Sequence, residues 1–204
     1  METQRIAASD PGAIPRALEV LRQGGLVAFP TDTVYGVGVS AFDPAGIEQL
    51  FVVKGRDAGK AIAVLLGDSA DLPRVTAGMN PLAERLAERF WPGPLTLVVP
   101  RHPGLPSILS PQPTIGVRMP DHPVALELLR RAGPLATTSA NLSGQASPVT
   151  AQEVLNQLGG RIGLVLDGGQ TPGGVASTVA DCTGPAPVIL RQGPLSLEEL
   201  LAVL

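Results

Sequence analysis

The sequence predicts an α/β domain around a largely buried, mixed β-sheet. Short apolar runs alternate with amphipathic stretches throughout the chain. The amphipathic stretches open on helix-start signals, either a polar residue before Pro or a capping box. Gly (24) and Pro (21) punctuate the 204 residues too often for a coiled coil or other long helices. With 44% hydrophobic and 16% charged residues the chain can build a core, so general disorder is excluded. There is no internal repeat and no linker long enough to divide the chain, so residues 1–204 read as one domain.

In chain order, Asp10-Pro11 opens a helix that runs to Gly24-Gly25, and residues 26–30 form a buried strand. A strand over 34–40 follows, then a helix near 44–53 behind Asp43-Pro44. A strand over 61–66 precedes a helix near 81–90 behind Asn80-Pro81, and a strand covers 95–100. The Pro-rich loop 101–113 reads as a mobile flap or as a rigid surface loop, the rigid loop being favoured. Beyond it come a strand over 114–119, a helix from His122-Pro123 to about residue 132 and a strand over 134–138. Thr150 with Glu153 caps a helix near 151–158, and Ser196 with Glu199 caps one near 197–203. Three strands, 163–167, 176–182 and 187–191, lie between them.

Charge and composition narrow the function. A net charge of -3 gives no global basic footprint for nucleic acid, and six aromatic residues are too few for a base-stacking surface. The lone cysteine, Cys182, excludes an internal disulfide framework and fits a reducing compartment. The N-terminus METQRIAASDPG has no apolar core of a leader, and no apolar run approaches ~18 residues, so a cytoplasmic location away from membranes is expected. Of the 15 basic residues thirteen are Arg, and both lysines, Lys54 and Lys60, fall within K-G-R-D-A-G-K. Lys supplies a compact point charge where Arg supplies a planar fork.

Five segments carry polar chemistry beside glycine. F-P-T-D-T-V-Y-G-V-G (29–38) sets Thr31, Thr33 and Tyr35 beside Asp32, which reads as a general base or a turn cap. Lys54-Gly55-Arg56 with Lys60 suits an anion such as a polyphosphate, or is a solvated loop answering a helix C-terminus. It is not a P-loop, since no G-x-x-x-x-G-K-[ST] occurs. Arg118 interrupts the apolar strand T-I-G-V-R and points to solvent or meets a carboxylate or phosphate in a cleft. A-T-T-S-A-N-L-S-G (136–144) lies at a strand's carboxyl end, where open α/β sheets bind ligands, or is a loop bonded to its own backbone. D-G-G-Q-T-P-G-G-V-A-S-T-V-A-D (167–181) could form an anion nest, and Arg191 ends another strand. The histidines, His102 and His122, each precede Pro, and no Ser-His-Asp set, Cys-His pair or metal cluster stands out. Positioning with cationic charge stabilisation is therefore expected, as in phosphoryl or nucleotidyl transfer.

Taken in order, T-D-T-V-Y-G-V-G, K-G-R-x-x-x-K, F-W-P-G-P-L-T-L, G-V-R-M-P, T-S-A-N-L-S-G and S-T-V-A-D resemble the YrdC-like family of threonylcarbamoyl-AMP synthases, over about residues 10–195. The resemblance implies a twisted mixed sheet with flanking helices and a large concave substrate cleft. It implies a nucleotidyltransferase that makes threonylcarbamoyl-AMP and pyrophosphate from L-threonine, bicarbonate and ATP. That is the first step of a modification beside the tRNA anticodon, completed by downstream threonylcarbamoyl-transfer proteins. By resemblance Lys54 and Arg56 are catalytic; Thr33, Tyr35, Arg118, Ser139 and Ser177 face threonine; and Arg56, Lys60, Thr114, Asn141, the backbone at Val149 and Arg191 face the nucleotide. Mg2+ is expected to arrive on ATP, with no dedicated protein site. As a loop residue Lys54 is expected to matter for turnover and little for stability.

The sequence departs from the family pattern at Asp57, where Pro is usual, and at Leu65, where some members carry His. Because the chain ends at Leu204 on one helix, it is expected to be the single-domain form. Two other readings are weaker. YrdC-like domains have been linked to double-stranded RNA, which predicts at most weak, salt-dependent RNA binding through a local Arg patch. A carbamoyl-transfer module of hydrogenase maturation would need the extra length and zinc-ligand cysteines that this sequence lacks.

Overall fold

The computed structural model describes residues 2–57 and 59–204. Its strands are β1 (Gln4–Ala7), β2 (Val27–Phe29), β3 (Gly36–Ser40), β4 (Ala63–Leu65), β5 (Leu95–Pro100), β6 (Thr114–Arg118), β7 (Leu135–Ser139), β8 (Leu164–Asp167), β9 (Thr178–Asp181) and β10 (Val188–Arg191). Its α-helices are α1 (Ala13–Arg22), α2 (Pro44–Lys54), α3 (Leu72–Val75), α4 (Pro81–Phe90), α5 (Pro123–Ala132), α6 (Ala151–Leu158) and α7 (Leu197–Leu201). The strands form one sheet in the order β1-β8-β2-β3-β7-β4-β6-β5-β9-β10. Parallel pairs (β1/β8, β2/β8, β4/β6, β5/β9) mix with antiparallel ones, as the alternating pattern predicts.

Two apolar clusters lie on opposite faces of this sheet. On one, α2, α4 and α6 bring Ile47, Leu50, Leu86 and Val154 against Val37, Val64, Leu97, Val117 and Val165. On the other, α1 and α5 bring Leu18, Leu21, Leu128 and Leu129 against Val27, Phe29, Leu65, Leu135 and Leu164. Strand side chains alternate between faces, so one strand feeds both layers. The second layer stops short: β5, β6 and β9 contribute no residue to it. Their residues on that face, including Thr96, Val98, Gly116, Arg118 and Val179, line a cleft instead.

Local details correct several expectations. Helix α1 begins at Ala13 rather than beside Pro11, because the Asp10 carboxylate accepts from Gly12 N (2.7 Å) and closes a turn first. Strand β1 escaped prediction because Q-R-I-A has no apolar alternation; it is held as an edge strand beside β8. Helix α3 is a single turn, too short for a periodic signal. Asn80 and Ser196 cap their helices as expected, the latter with a complete capping box. The loop 101–113 is held rigidly. Arg101 Nη1 donates to the carbonyls of Ser107 (3.2 Å) and Ser110 (3.2 Å), Leu105 and Leu109 are buried, and Ile62 N donates to Leu109 O.

Candidate active site

The uncovered sheet face forms a cleft of about 300 Å³. Small residues keep its floor low. At Gly116 an added Cβ would stand 3.1 Å from Thr96 Cγ2 and 3.4 Å from Ala63 Cβ, so any side chain there would rise into the cleft. Thr33, Tyr35, Arg56, Arg118, Ser139, Ser177 and Arg191 all line the cleft. Segments spread over the whole chain are thus brought to one place by strand order.

Arg118 sits at the end of β6, 5% exposed, and meets a carboxylate. Its Nη2 donates to Asp32 Oδ1 (2.5 Å), Nη1 to Thr33 Oγ1 (3.1 Å) and Nε to Gly93 O (2.9 Å). A guanidinium has five N–H donors, so one on each terminal nitrogen is left for a ligand. Burial lowers the Arg118 pKa and Asp32 raises it again. Asp32 Oδ1 also accepts from Asp121 N (3.1 Å), which makes Asp32 the counter-ion of Arg118 and fixes the turn. Thr31 Oγ1 donates to Val34 O (2.7 Å) within the same turn. Gly173 and Gly174 let the 168–174 loop lie on it: a Cβ at Gly173 would stand 2.6 Å from Asp32 O, and Gly174 N donates to Thr33 O. Tyr35 is fully buried; its hydroxyl donates to Gly169 O (2.7 Å) and accepts from Gly168 N (3.2 Å), and burial pushes its pKa up to about 12.

Lys54 departs from expectation. It is the last residue of α2, 1% exposed, and does not line the cleft. Gly55, in the left-handed region (φ 56°), ends the helix directly after it. Lys54 Nζ donates to Ser139 O, to Asn141 O (2.5 Å) and to Asn141 Oδ1 (3.3 Å). Asn141 is equally committed: Oδ1 accepts from Ser139 Oγ (2.5 Å), and Nδ2 donates to Leu142 O (2.9 Å) and Gln145 O (2.7 Å). The two side chains tie α2 to the loop after β7 and hold Ser139 at the cleft wall. The premise that Lys54 is a loop residue is overturned: it is a buried helix residue with three oxygen acceptors. Burial, and then the charge of Arg56, pulls its pKa down to about 7.

The remaining cations converge from other elements. Arg56 Nη2 donates to Ala61 O (2.8 Å), folding the side chain back over its own loop. Arg191, on edge strand β10, donates from Nε (3.1 Å) and Nη2 (2.8 Å) to Ser177 O; Ser177 Oγ lies 2.9 Å from Thr96 Oγ1. Burial, then the nearby Arg191 charge, lowers the pKa of Arg56. Among the described residues three guanidiniums and no carboxylate line the cleft. Asp32 behind the wall already pairs with Arg118, and Arg56 and Arg191 have no carboxylate partner among those residues, so the cleft favours an anionic ligand.

Other expected residues stand apart. Lys60 is exposed, with only its carbonyl near Arg56 Nε (3.4 Å). Thr114 starts β6, four residues from Arg118 and roughly 13 Å along the strand. The Val149 backbone is engaged: its N–H donates to Glu153 Oε2 (2.7 Å) and its carbonyl accepts from Thr171 N (2.9 Å). Ala58, inside K-G-R-D-A-G-K, lies outside the described residues. Asp57 Oδ1 accepts from Gly59 N (2.8 Å), so this carboxylate turns onto its own loop. Leu65 lines the cleft and also joins the α1–α5 cluster. No group of three or more His, Cys, Asp or Glu that could hold a metal occurs among the described residues. None of their helices is long and apolar enough to cross a membrane. Sequence reasoning missed the floor residues Thr96 and Gly116, whose signal is a small or polar residue at alternate positions of otherwise apolar strands.

The family model Sua5_yciO_yrdC, described as telomere recombination, matches residues 19–193. The threonylcarbamoyl-AMP synthase of Bacillus subtilis is 41% identical over 205 residues, covering 99% of this chain and 59% of that protein. A putative threonylcarbamoyl-AMP synthase of Mycobacterium tuberculosis is 42% identical over 192 residues, covering 94% of this chain and 88% of that one. The structure of Pyrococcus abyssi Sua5 complexed with L-threonine superposes with a TM-score of 0.91 at 41% identity, over 99% of this chain and 60% of that one. The chain thus spans under two thirds of the Bacillus and Pyrococcus proteins.

Proposed function

The chain belongs to the Sua5/YciO/YrdC family, and on that premise we propose that it is a nucleotidyltransferase making L-threonylcarbamoyl-AMP and pyrophosphate from L-threonine, bicarbonate and ATP. The observation that carries the reading is the bare sheet face lined by Arg56, Arg118 and Arg191, with no lining carboxylate among the described residues. Such a cleft takes an amino-acid carboxylate and a polyphosphate together. The two N–H donors left on Arg118, beside the Thr33 hydroxyl, form a fork for the threonine carboxylate. The threonine amine takes up bicarbonate as a carbamate, with loss of water. A carbamate oxygen then bonds to the α-phosphorus of ATP, the bond to the bridging oxygen breaks, and pyrophosphate leaves.

Arg56 and Arg191 stabilise negative charge as it builds on the phosphate oxygens. Both line the same cleft and the Arg191 charge lowers the pKa of Arg56, so an anion bound there relieves that repulsion. Mg2+ belongs to the substrate as the ATP complex. Lys54 and Asn141 act by holding Ser139 in place. The product is a mixed anhydride, suited to transfer onto a tRNA adenosine by other proteins.

The test incubates the chain with the three substrates and Mg2+, follows pyrophosphate, and looks for threonylcarbamoyl-AMP by mass spectrometry. Threonine-dependent pyrophosphate with the adduct is the expected result. Equal ATP consumption with and without threonine would sink the proposal.

A further inference from the structure

A second concavity, of about 840 Å³, lies between α3 and α4 and shares no lining residue with the cleft. One wall is the helical stripe Glu84, Ala87, Glu88 and Trp91, spaced i, i+3, i+4, i+7 and extending roughly 10 Å along α4 and its C-cap. The α4 residues Ala83 and Leu86 are buried in the core, Ala87 and Trp91 pack against it on one side only and stay partly exposed to the groove, and Glu84 and Glu88 are exposed. Leu72 of α3 stands opposite, and Met79 and Met119 complete the apolar surface. The chain's single Trp and two of its three Met are therefore gathered on one open groove. Trp and Met are enriched at protein interfaces, and flexible Met side chains adapt to a partner's shape.

The groove's charge is one-sided. Glu84 and Glu88 are exposed on its rim, and neither makes an ion pair among the described residues. The nearby cations are turned elsewhere: Arg74 pairs with Asp71 (2.7 Å) and lies over the Phe42 ring, and Arg89 lies over Phe90. Ala87, the small residue between the two carboxylates, leaves room for an incoming side chain. We propose that this groove docks an amphipathic helix of a partner protein, with apolar side chains at helical spacing and Lys or Arg on its flanks.

Because Trp91 is the only Trp and lines the groove, its emission senses an occupant there. The full chain is titrated with a synthetic amphipathic Leu/Lys helical peptide and with its Leu/Glu counterpart. The expected result is a saturable change in Trp91 emission with Leu/Lys, with binding about ten-fold weaker for Leu/Glu. The double variant Glu84→Lys, Glu88→Lys should invert that preference. Ala87→Phe should weaken both peptides; because Ala87 also packs partly against the core, its urea midpoint is read alongside, and the charge-reversal variant carries the test if this one unfolds. No saturable change, or a peptide preference untouched by charge reversal, overturns the proposal. So does sedimentation showing a concentration-dependent dimer that shields Trp91 without peptide, since the occupant would then be a second copy.

Discussion

Replacing Lys54 by Met tests whether this lysine acts through the protein or on the substrate. Met preserves most of the stem and removes Nζ, so the carbonyls of Ser139 and Asn141 lose their ammonium donor. Asn141 Oδ1 keeps its bond from Ser139 Oγ and is not orphaned. Two buried acceptors left without this donor cost ~1–3 kcal/mol each. Removing an ammonium that is only 1% exposed returns part of that. The net expectation is a loss of ~2–4 kcal/mol, a large share of the ~5–15 kcal/mol typical of a domain. Urea unfolding followed by Trp91 emission, with pyrophosphate release measured on the folded variant, checks this. A Lys54→Met protein within ~0.5 kcal/mol of the parent but unable to turn over would refute the reasoning. Lys54 would then contact substrate directly.

Three further outcomes are expected. Asp32→Ala leaves the Arg118 guanidinium buried without its counter-ion and should cost ~3 kcal/mol, while adding Arg118→Ala should recover part of it; additive losses in thermal unfolding would contradict the pairing. Gly116→Val should fold and yet lose threonine and ATP binding by calorimetry, because its methyls rise from the cleft floor; unchanged affinities would place the ligands elsewhere. Lys54 also gives stability a pH slope. Its folded pKa lies near 7, below the 10.5 of a free lysine, so above about 7 the unfolded chain binds more protons than the folded one. Stability therefore rises with pH through that window, by up to ~1.4 kcal/mol per pH unit, relative to Lys54→Met. Identical slopes for the two proteins between pH 7 and 9 would reject this.

The sheet and its helices were legible wherever a residue pattern forces them. Asn80 and Ser196 act on the backbone beside them, and the apolar runs of β2, β4 and β8 have no use except burial. β1 was illegible because an edge strand needs only a neighbour with free backbone groups, which Q-R-I-A does not announce. At the site, Arg118 was readable as either paired or solvent-facing, and only the fold brings Asp32 to it from 86 residues away. Lys54 looked like a loop cation because its acceptors are carbonyls 85 and 87 residues further on, which no local spacing encodes. Arg191 gave the weakest signal of the cleft's three guanidiniums, since its position depends on β9 pairing beside β5.

The incomplete second layer sets how this protein can change. In β5 and β6 the residues that line the cleft and those that hold the fold are consecutive, Thr96 beside Leu97 and Arg118 beside Val117. Substitutions on one parity can retune what binds without touching the interior, and those on the other can loosen the interior without touching the ligand. Insertions and deletions have no such freedom. Removing one residue from β6 would reverse the parity of every residue beyond it, turning aliphatic side chains into the cleft and a guanidinium into the core. Such strands are expected to diverge by replacement, with changes of length confined to the turns between them.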